Sequence, residues 1–242
     1  MSWYKRWFSD EGYLEMYAHR DGPEAREAIS LFENITQLPQ QSLVLDLACG
    51  SGRHALELAE ACYTVVATDL SAPLLMHAKH RPFTDNRPVF VQADMRSLPF
   101  SSSFHAVAQL FTAFGYFPLD EQNEDVFRQV HRSLLPGGWY MLDFLNAQEV
   151  EQNLVPFTED PIEGGTVTQE RSICRGRVEK RITFLRYGVT ESFTESVRLF
   201  TMEDLSLMLV RNGFTVRHLF GTYSGEAFQD SSPRCILFAR KT

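Results

Sequence analysis

The stretch VLDLACGSGRHALELA (44–59) opens as an apolar run with a single acid, Asp46. It breaks at Gly50-Ser51-Gly52 and passes at once into a helical pattern. Glycines at the mouth of a strand adopt backbone angles closed to other residues and let a ligand approach the main chain. The helix that follows offers unpaired N–H groups. Gly50 to Ala55 matches the pattern G-x-G-x-x-G/A. Asp69, at the end of the next strand, stands where an acid accepts hydrogen bonds from ribose hydroxyls. The spacing implies a nucleoside ligand but does not separate NAD from other nucleosides. Asp46 helps to separate them. A carboxylate facing this turn would repel a pyrophosphate at short range and attract an ammonium or sulfonium group. S-adenosylmethionine carries both cations, with an adenosine for Asp69.

These residues need a parallel sheet to position them, and the chain supplies its pattern. Strands are expected at 43–48, 64–70, 88–94, 104–111 and 139–145. Helices are expected at 52–62, from Ser71 to about 80, and from Asp120 to Leu135. Strand and helix alternating with short polar connections predict a sheet covered on both faces. Upstream, Asp21-Gly22-Pro23-Glu24 reads as a helix start, with Asp21 as cap and proline in the first turn. Between about 160 and 200 polar and apolar residues alternate, which predicts antiparallel strands with one solvated face. A capping box at Thr201–Asp204 opens a last helix, and strands follow at 214–221 and 234–241.

The 242 residues carry a formal net charge of −8, with 44% hydrophobic and 12% aromatic residues, enough for a sizeable core. No long Lys/Arg run suggests a nucleic-acid partner, although basic residues outnumber acidic ones between Glu163 and Arg198. No apolar stretch is long enough to span a membrane. The four cysteines form no C-x-x-C pair and suggest no metal site. They read as free thiols of a cytoplasmic protein.

Taken with VVATDLS (65–71), VQADMRSLPF (91–100) and LLPGGWYMLDF (134–144), the glycine stretch resembles the ordered motifs of class I S-adenosylmethionine-dependent methyltransferases. YLEMYAHRD (13–21) and the tail SPRCILFARK resemble a bacterial small-molecule subgroup with an inserted sheet. The resemblance implies a doubly wound α/β fold: a seven-stranded, mostly parallel sheet with a reversed C-terminal hairpin strand. It divides the chain into N-terminal lid helices (1–38), a cofactor domain (39–155 and 200–242) and an inserted antiparallel lid (156–199).

The implied cofactor is S-adenosylmethionine, with S-adenosylhomocysteine as product. The resemblance places Asp46, Ala48, Gly50 and Gly52 around its methionine half, Asp69 and Leu70 at the ribose, and Asp94 and Met95 at the adenine. Phe111 follows the fourth strand, and Tyr17 and Arg20 reach the methionine carboxylate from the lid. The family commonly has an acid at the position of His105, where a local change is expected. Methyl transfer from a sulfonium is an in-line displacement that needs no metal and has no universal catalytic residue. The acceptor, expected to be a small molecule, would lie among the strand ends, near His19, Phe114, Tyr116, Asp143 and Asn146. An NAD-type oxidoreductase and a non-catalytic S-adenosylmethionine-binding protein are the alternatives.

Overall fold

The computed structural model of the chain describes residues 2–17, 22–83 and 86–242. Three helices come first: α1 (Trp3–Trp7), α2 (Glu11–Tyr17) and α3 (Pro23–Thr36). The expected cap of α3, Asp21, lies outside the described residues; Pro23 occupies its first turn. The alternation then runs β1 (Leu43–Leu47), α4 (Arg53–Glu60), β2 (Thr64–Asp69), α5 (Ala72–Lys79), β3 (Val89–Gln92), β4 (Phe104–Gln109), α6 (Asp120–Ser133) and β5 (Leu134–Leu145). Ser71 caps α5 as its sequence predicts, accepting the Leu74 N–H at 3.3 Å. The boundaries of α4, β3, β4 and α6 differ by a residue or two from those expected, and that of β5 by more. β5 starts at Leu134, because the Pro136-Gly137-Gly138 segment continues the strand with a register shift against β4.

A short helix α7 (Ala147–Asn153) leads to β6 (Phe157–Ile162), β7 (Gly165–Cys174), β8 (Arg177–Arg186) and β9 (Val189–Arg198), an antiparallel sheet in that order. The chain then returns through α8 (Met202–Arg211), β10 (Phe214–Phe220) and β11 (Arg234–Lys241). Thr201 and Asp204 form the expected capping box on α8.

The main sheet has the order β10-β11-β5-β4-β1-β2-β3. β1 pairs in parallel with both β2 and β4, so the chain leaves it in opposite directions, and a crevice opens beyond its carboxyl end. β11 runs antiparallel to β5 and β10, which is the reversed strand expected of the hairpin. Each face of the sheet has its own core, and the two-residue alternation of the strands divides the side chains between them. Leu45, Leu47, Val107, Tyr140 and Leu142 share one core with Val126 and Phe127 of α6 and Leu205 and Leu209 of α8. Val44, Val65, Ala67, Ala106, Trp139 and Met141 share the other with residues of α3 and α4.

The inserted sheet is held to the rest by the N-terminal helices and by one loop. Trp7 of α1 is buried with Val167, Ile182, Phe184 and Phe193, and its indole N–H donates to Glu195 at 2.6 Å. The Arg198 N–H donates to the Gly115 carbonyl at 2.8 Å, and the Arg177 guanidinium donates to the carbonyls of Gly115 and Phe117. The loop after β4 is thus fixed from the insert side. His105 makes the local change its sequence suggests: Nδ1 accepts the Leu43 N–H at 3.0 Å, an acceptor role that a carboxylate oxygen could also fill.

Candidate functional site

The crevice beyond β1 opens into two cavities that share Tyr13, Ala48, Gly50, Ala113 and Tyr116 as walls. The first, of about 380 Å³, runs along the ends of β2 and β3. The second, of about 220 Å³, lies between the α4 N-terminus, α2 and the loop after β4.

Asp69 organises the first cavity. Its Oδ2 accepts the Gly50 N–H at 2.9 Å and its Oδ1 the Ser71 N–H at 2.8 Å, so one carboxylate ties the glycine turn to the β2–α5 turn. Burial pushes its pKa up, and the backbone amides that bond it work in the opposite direction. A carboxylate offers about four lone-pair directions, so acceptor capacity remains for ligand hydroxyls. Gly50, at φ +56°, lines both cavities, and a Cβ added there would meet no protein atom within 4 Å. This is an open cradle beside a carboxylate, and it fits a ribose.

Asp94 and Met95 line the far end of the first cavity with Ala93 and Phe117. The Asp94 carboxylate is held by Arg96, at 3.0 Å from Nε and 2.6 Å from Nη2, and accepts the Arg96 N–H at 2.9 Å. Burial alone would raise its pKa, but the bonds from Arg96 outweigh that and lower it, keeping the carboxylate ionised. An ionised, fixed acceptor beside an apolar slot suits the amino edge of an adenine. Leu70 also lines this cavity. Tyr4, Phe8 and Tyr13 complete it from the N-terminal helices. Sequence reading does not single out Tyr4 and Phe8, which reach the sheet only through the packing of α1, and it gives Tyr13, within YLEMYAHRD (13–21), no role of its own.

The second cavity brings together Tyr17, Phe111 and Tyr116 from the expected residues. It adds Arg53, His54, His77 and Arg81, of which Arg53-His54 directly follow Gly52 in the sequence. The Arg53 guanidinium lies over the Phe111 ring at 4.1 Å. Burial, helped by the charges of Arg53 and Arg234, pushes the His54 pKa well down, so its imidazole is neutral. Tyr17 donates to Glu195 at 2.8 Å, and Lys180 pairs with the same carboxylate at 2.5 Å, joining α2 to the inserted sheet.

Several expected site residues lie elsewhere. Asp46 is 1% exposed and lines neither cavity. It shares the face of Val44, toward α4, where it accepts the Ala55 N–H. Its carboxylate lies behind the turn instead of facing a ligand. Gly52, at φ +81°, faces Ala78 and Phe90, where it permits close packing of α4 against α5 and β3. Phe114 is fully buried and stacked on Phe127 at 4.7 Å, because burying such a ring stabilises the fold by about 1.5–3 kcal/mol. Asp143 is fully buried against Arg234 and Tyr223, and Asn146 caps α7 while donating to the carbonyls of Asp230 and Ser232. Neither reaches a cavity wall. His19 and Arg20 lie outside the described residues.

The position of Asp46 has a consequence for stability. Burial, reinforced by the charge of Asp69, raises its pKa from 3.8 to about 7. The folded protein therefore holds a proton there that the unfolded chain releases, and stability falls as pH rises through that window and levels off above it. Asp46→Asn keeps an oxygen for Ala55 and removes the titration. Urea unfolding from pH 4 to 8 is expected to show a flatter profile for the variant. The two curves should diverge by a few kcal/mol across the window, since each pKa unit corresponds to about 1.4 kcal/mol. Parallel curves would count against the raised pKa.

The chain is similar to known proteins. The family profile described as "Methyltransferase domain" matches residues 44–138. The chain is 34% identical over 206 residues to the cypemycin N-terminal methyltransferase of Streptomyces sp., covering 80% of this chain and 81% of that protein. It is 26% identical over 206 residues to the dTDP-3-amino-3,6-dideoxy-alpha-D-glucopyranose N,N-dimethyltransferase of Streptomyces fradiae, covering 81% and 78%. The fold is similar to that of an S-adenosylmethionine-dependent methyltransferase from Clostridium acetobutylicum ATCC 824, with a TM-score of 0.81 and 18% identity over 95% of this chain and 97% of that one.

Proposed function

The chain belongs to the S-adenosylmethionine-dependent methyltransferases, and on that premise we propose that it methylates an amine nitrogen of a small molecule. The observation that carries the placement of the donor is the pair of cavities meeting at Ala48 and Gly50. The sulfonium of the donor supplies a methyl group already activated for in-line displacement. The chain's residues align and shelter it. Asp69 and Leu70 take the ribose, Asp94 and Met95 the adenine, and the second cavity the methionine half, with Tyr17 and Phe111 on its wall. The neck is left for the methyl group and the incoming nucleophile. Tyr13, Ala113 and Tyr116 wall it and shelter it from water.

An amine attacks with its own lone pair, so no committed base has to remove a proton during the displacement. The names of the two relatives support nitrogen as the accepting atom: one is an N-terminal methyltransferase and the other an N,N-dimethyltransferase. In the same reading residues 1–38 and 156–199 act as covers over the site. S-adenosylmethionine is a metabolite of the cytoplasm, and the reading places the protein there; among the described residues no helix is long and apolar enough to cross a membrane.

The test is a paired-acceptor assay followed by mass spectrometry. The protein and S-adenosylmethionine are incubated with nucleotide-linked amino sugars and with the same sugars bearing a hydroxyl in place of the amine. Methyl gain on amine-bearing members alone is the expected result. Methylation of the hydroxyl partners would contradict the proposal.

A further inference from the structure

Asp143 lines neither cavity, yet its bonds converge on a wall of the second. Its Oδ2 accepts the Phe111 N–H at 2.6 Å and the Tyr223 hydroxyl at 2.6 Å. Its Oδ1 accepts the Arg234 guanidinium at 2.8 Å from Nε and 2.7 Å from Nη2. Arg234 also donates to Thr112 Oγ1 at 3.1 Å, and the Thr112 N–H donates to the Asp143 carbonyl at 3.0 Å. The residues so held, Phe111 and Thr112, have φ of 59° and 61°. Two consecutive side-chain-bearing residues in the left-handed region carry a steric cost and persist only where the surroundings over-determine them.

We infer that Asp143, together with Arg234 and Tyr223, is a positioning group for the cofactor: it holds the left-handed turn at 111–112 and, through it, the wall of the second cavity. The inference rests on the reading that this cavity takes the donor's methionine half. A purely structural account explains the arrangement less well. A turn that only joined two elements could carry glycine at 111 and 112 at no steric cost. A fully buried carboxylate and its cation also give no general advantage over apolar packing. What the network secures is a large ring, Phe111, held in a cavity wall between the guanidinium groups of Arg53 at 4.1 Å and Arg234 at 5.4 Å.

The test compares two probes by calorimetry. S-adenosylhomocysteine spans both cavities, whereas 5′-methylthioadenosine has no amino-acid tail and occupies the first alone. For Asp143→Asn, S-adenosylhomocysteine should bind about tenfold more weakly, with methylthioadenosine unchanged within about twofold. Tyr223→Phe, which removes a single bond and leaves the ion pair, should show the same selectivity at about threefold. Adding Thr112→Gly to Asp143→Asn should recover part of the loss, because glycine adopts the left-handed conformation unaided at one of the two positions. Should Asp143→Asn fail to fold, Tyr223→Phe decides. Equal effects on both probes, or no effect in a folded variant, would overturn the inference. A parent protein that binds the two probes equally well would overturn the placement of the methionine half, and this inference with it.

Discussion

Asp69→Ala is expected to weaken S-adenosylmethionine binding by about 1.5–3 kcal/mol, one to two orders of magnitude in affinity. The carboxylate provides the charge-assisted acceptors for the ribose in the reading proposed above. It also holds the Gly50 and Ser71 amides at 2.9 and 2.8 Å, so its loss releases the two turns that shape the first cavity. Asp69→Asn separates the two contributions. An asparagine oxygen can keep one of those amide bonds, but the side chain loses the charge and half its acceptor capacity. It should fall between the parent and the alanine variant. Calorimetric titration with S-adenosylhomocysteine checks both, with thermal unfolding to show that the variants are folded. A folded alanine variant that binds like the parent would remove Asp69 from the ribose site.

The two glycines of the turn should fail in opposite ways. Gly50→Ala places a methyl group in open space at the junction of the cavities. Its cost to folding is the left-handed backbone alone, about 1–2 kcal/mol, while the methyl group takes up room at the neck, so S-adenosylhomocysteine binding should be lost in a folded protein. Gly52→Ala has the same backbone penalty, and its methyl would meet Ala78 Cβ at 2.9 Å and the Phe90 ring at 3.3 Å. Forcing those groups apart adds to the strain, for a total of roughly 2–5 kcal/mol, a large part of a typical domain's stability. Gly52→Ala should therefore lower the unfolding midpoint well below that of Gly50→Ala. If Gly50→Ala were the less stable of the two, or bound ligand normally, the assignment of the glycines would be reversed.

These two positions also show where sequence reading reached its limit. The spacing of Gly50, Gly52 and Asp69 shows a nucleoside turn, but not which glycine borders the ligand. That depends on α5 and β3, elements that come later in the chain. Asp46 is placed in part by the sequence. Strand side chains alternate, so Asp46 must share a face with Val44 and not with Leu45 or Leu47; that this face packs against α3 and α4 is seen only in the fold. The alternation of strands and helices and the antiparallel insert are legible because each follows from a local period; the reversal of the last strand follows only from the family resemblance, since a period marks a strand but not its direction. Phe114, Asp143 and Asn146 were placed by their position after strand ends alone, which sets where the backbone lies but not where the side chain points. Tyr4 and Phe8 left no local signal, because α1 gains its role only by packing under the inserted sheet and over the ends of β2 and β3.

The most direct test of the account is a crystal structure of the protein with S-adenosylhomocysteine bound. The ribose hydroxyls are expected within hydrogen-bonding distance of the Asp69 carboxylate. The adenine is expected beside Asp94 and Met95, the sulfur at the neck by Ala48 and Gly50, and the amino-acid tail against Phe111 and Tyr17. A nucleoside bound outside the first cavity, or a tail that avoids the second, would contradict this placement.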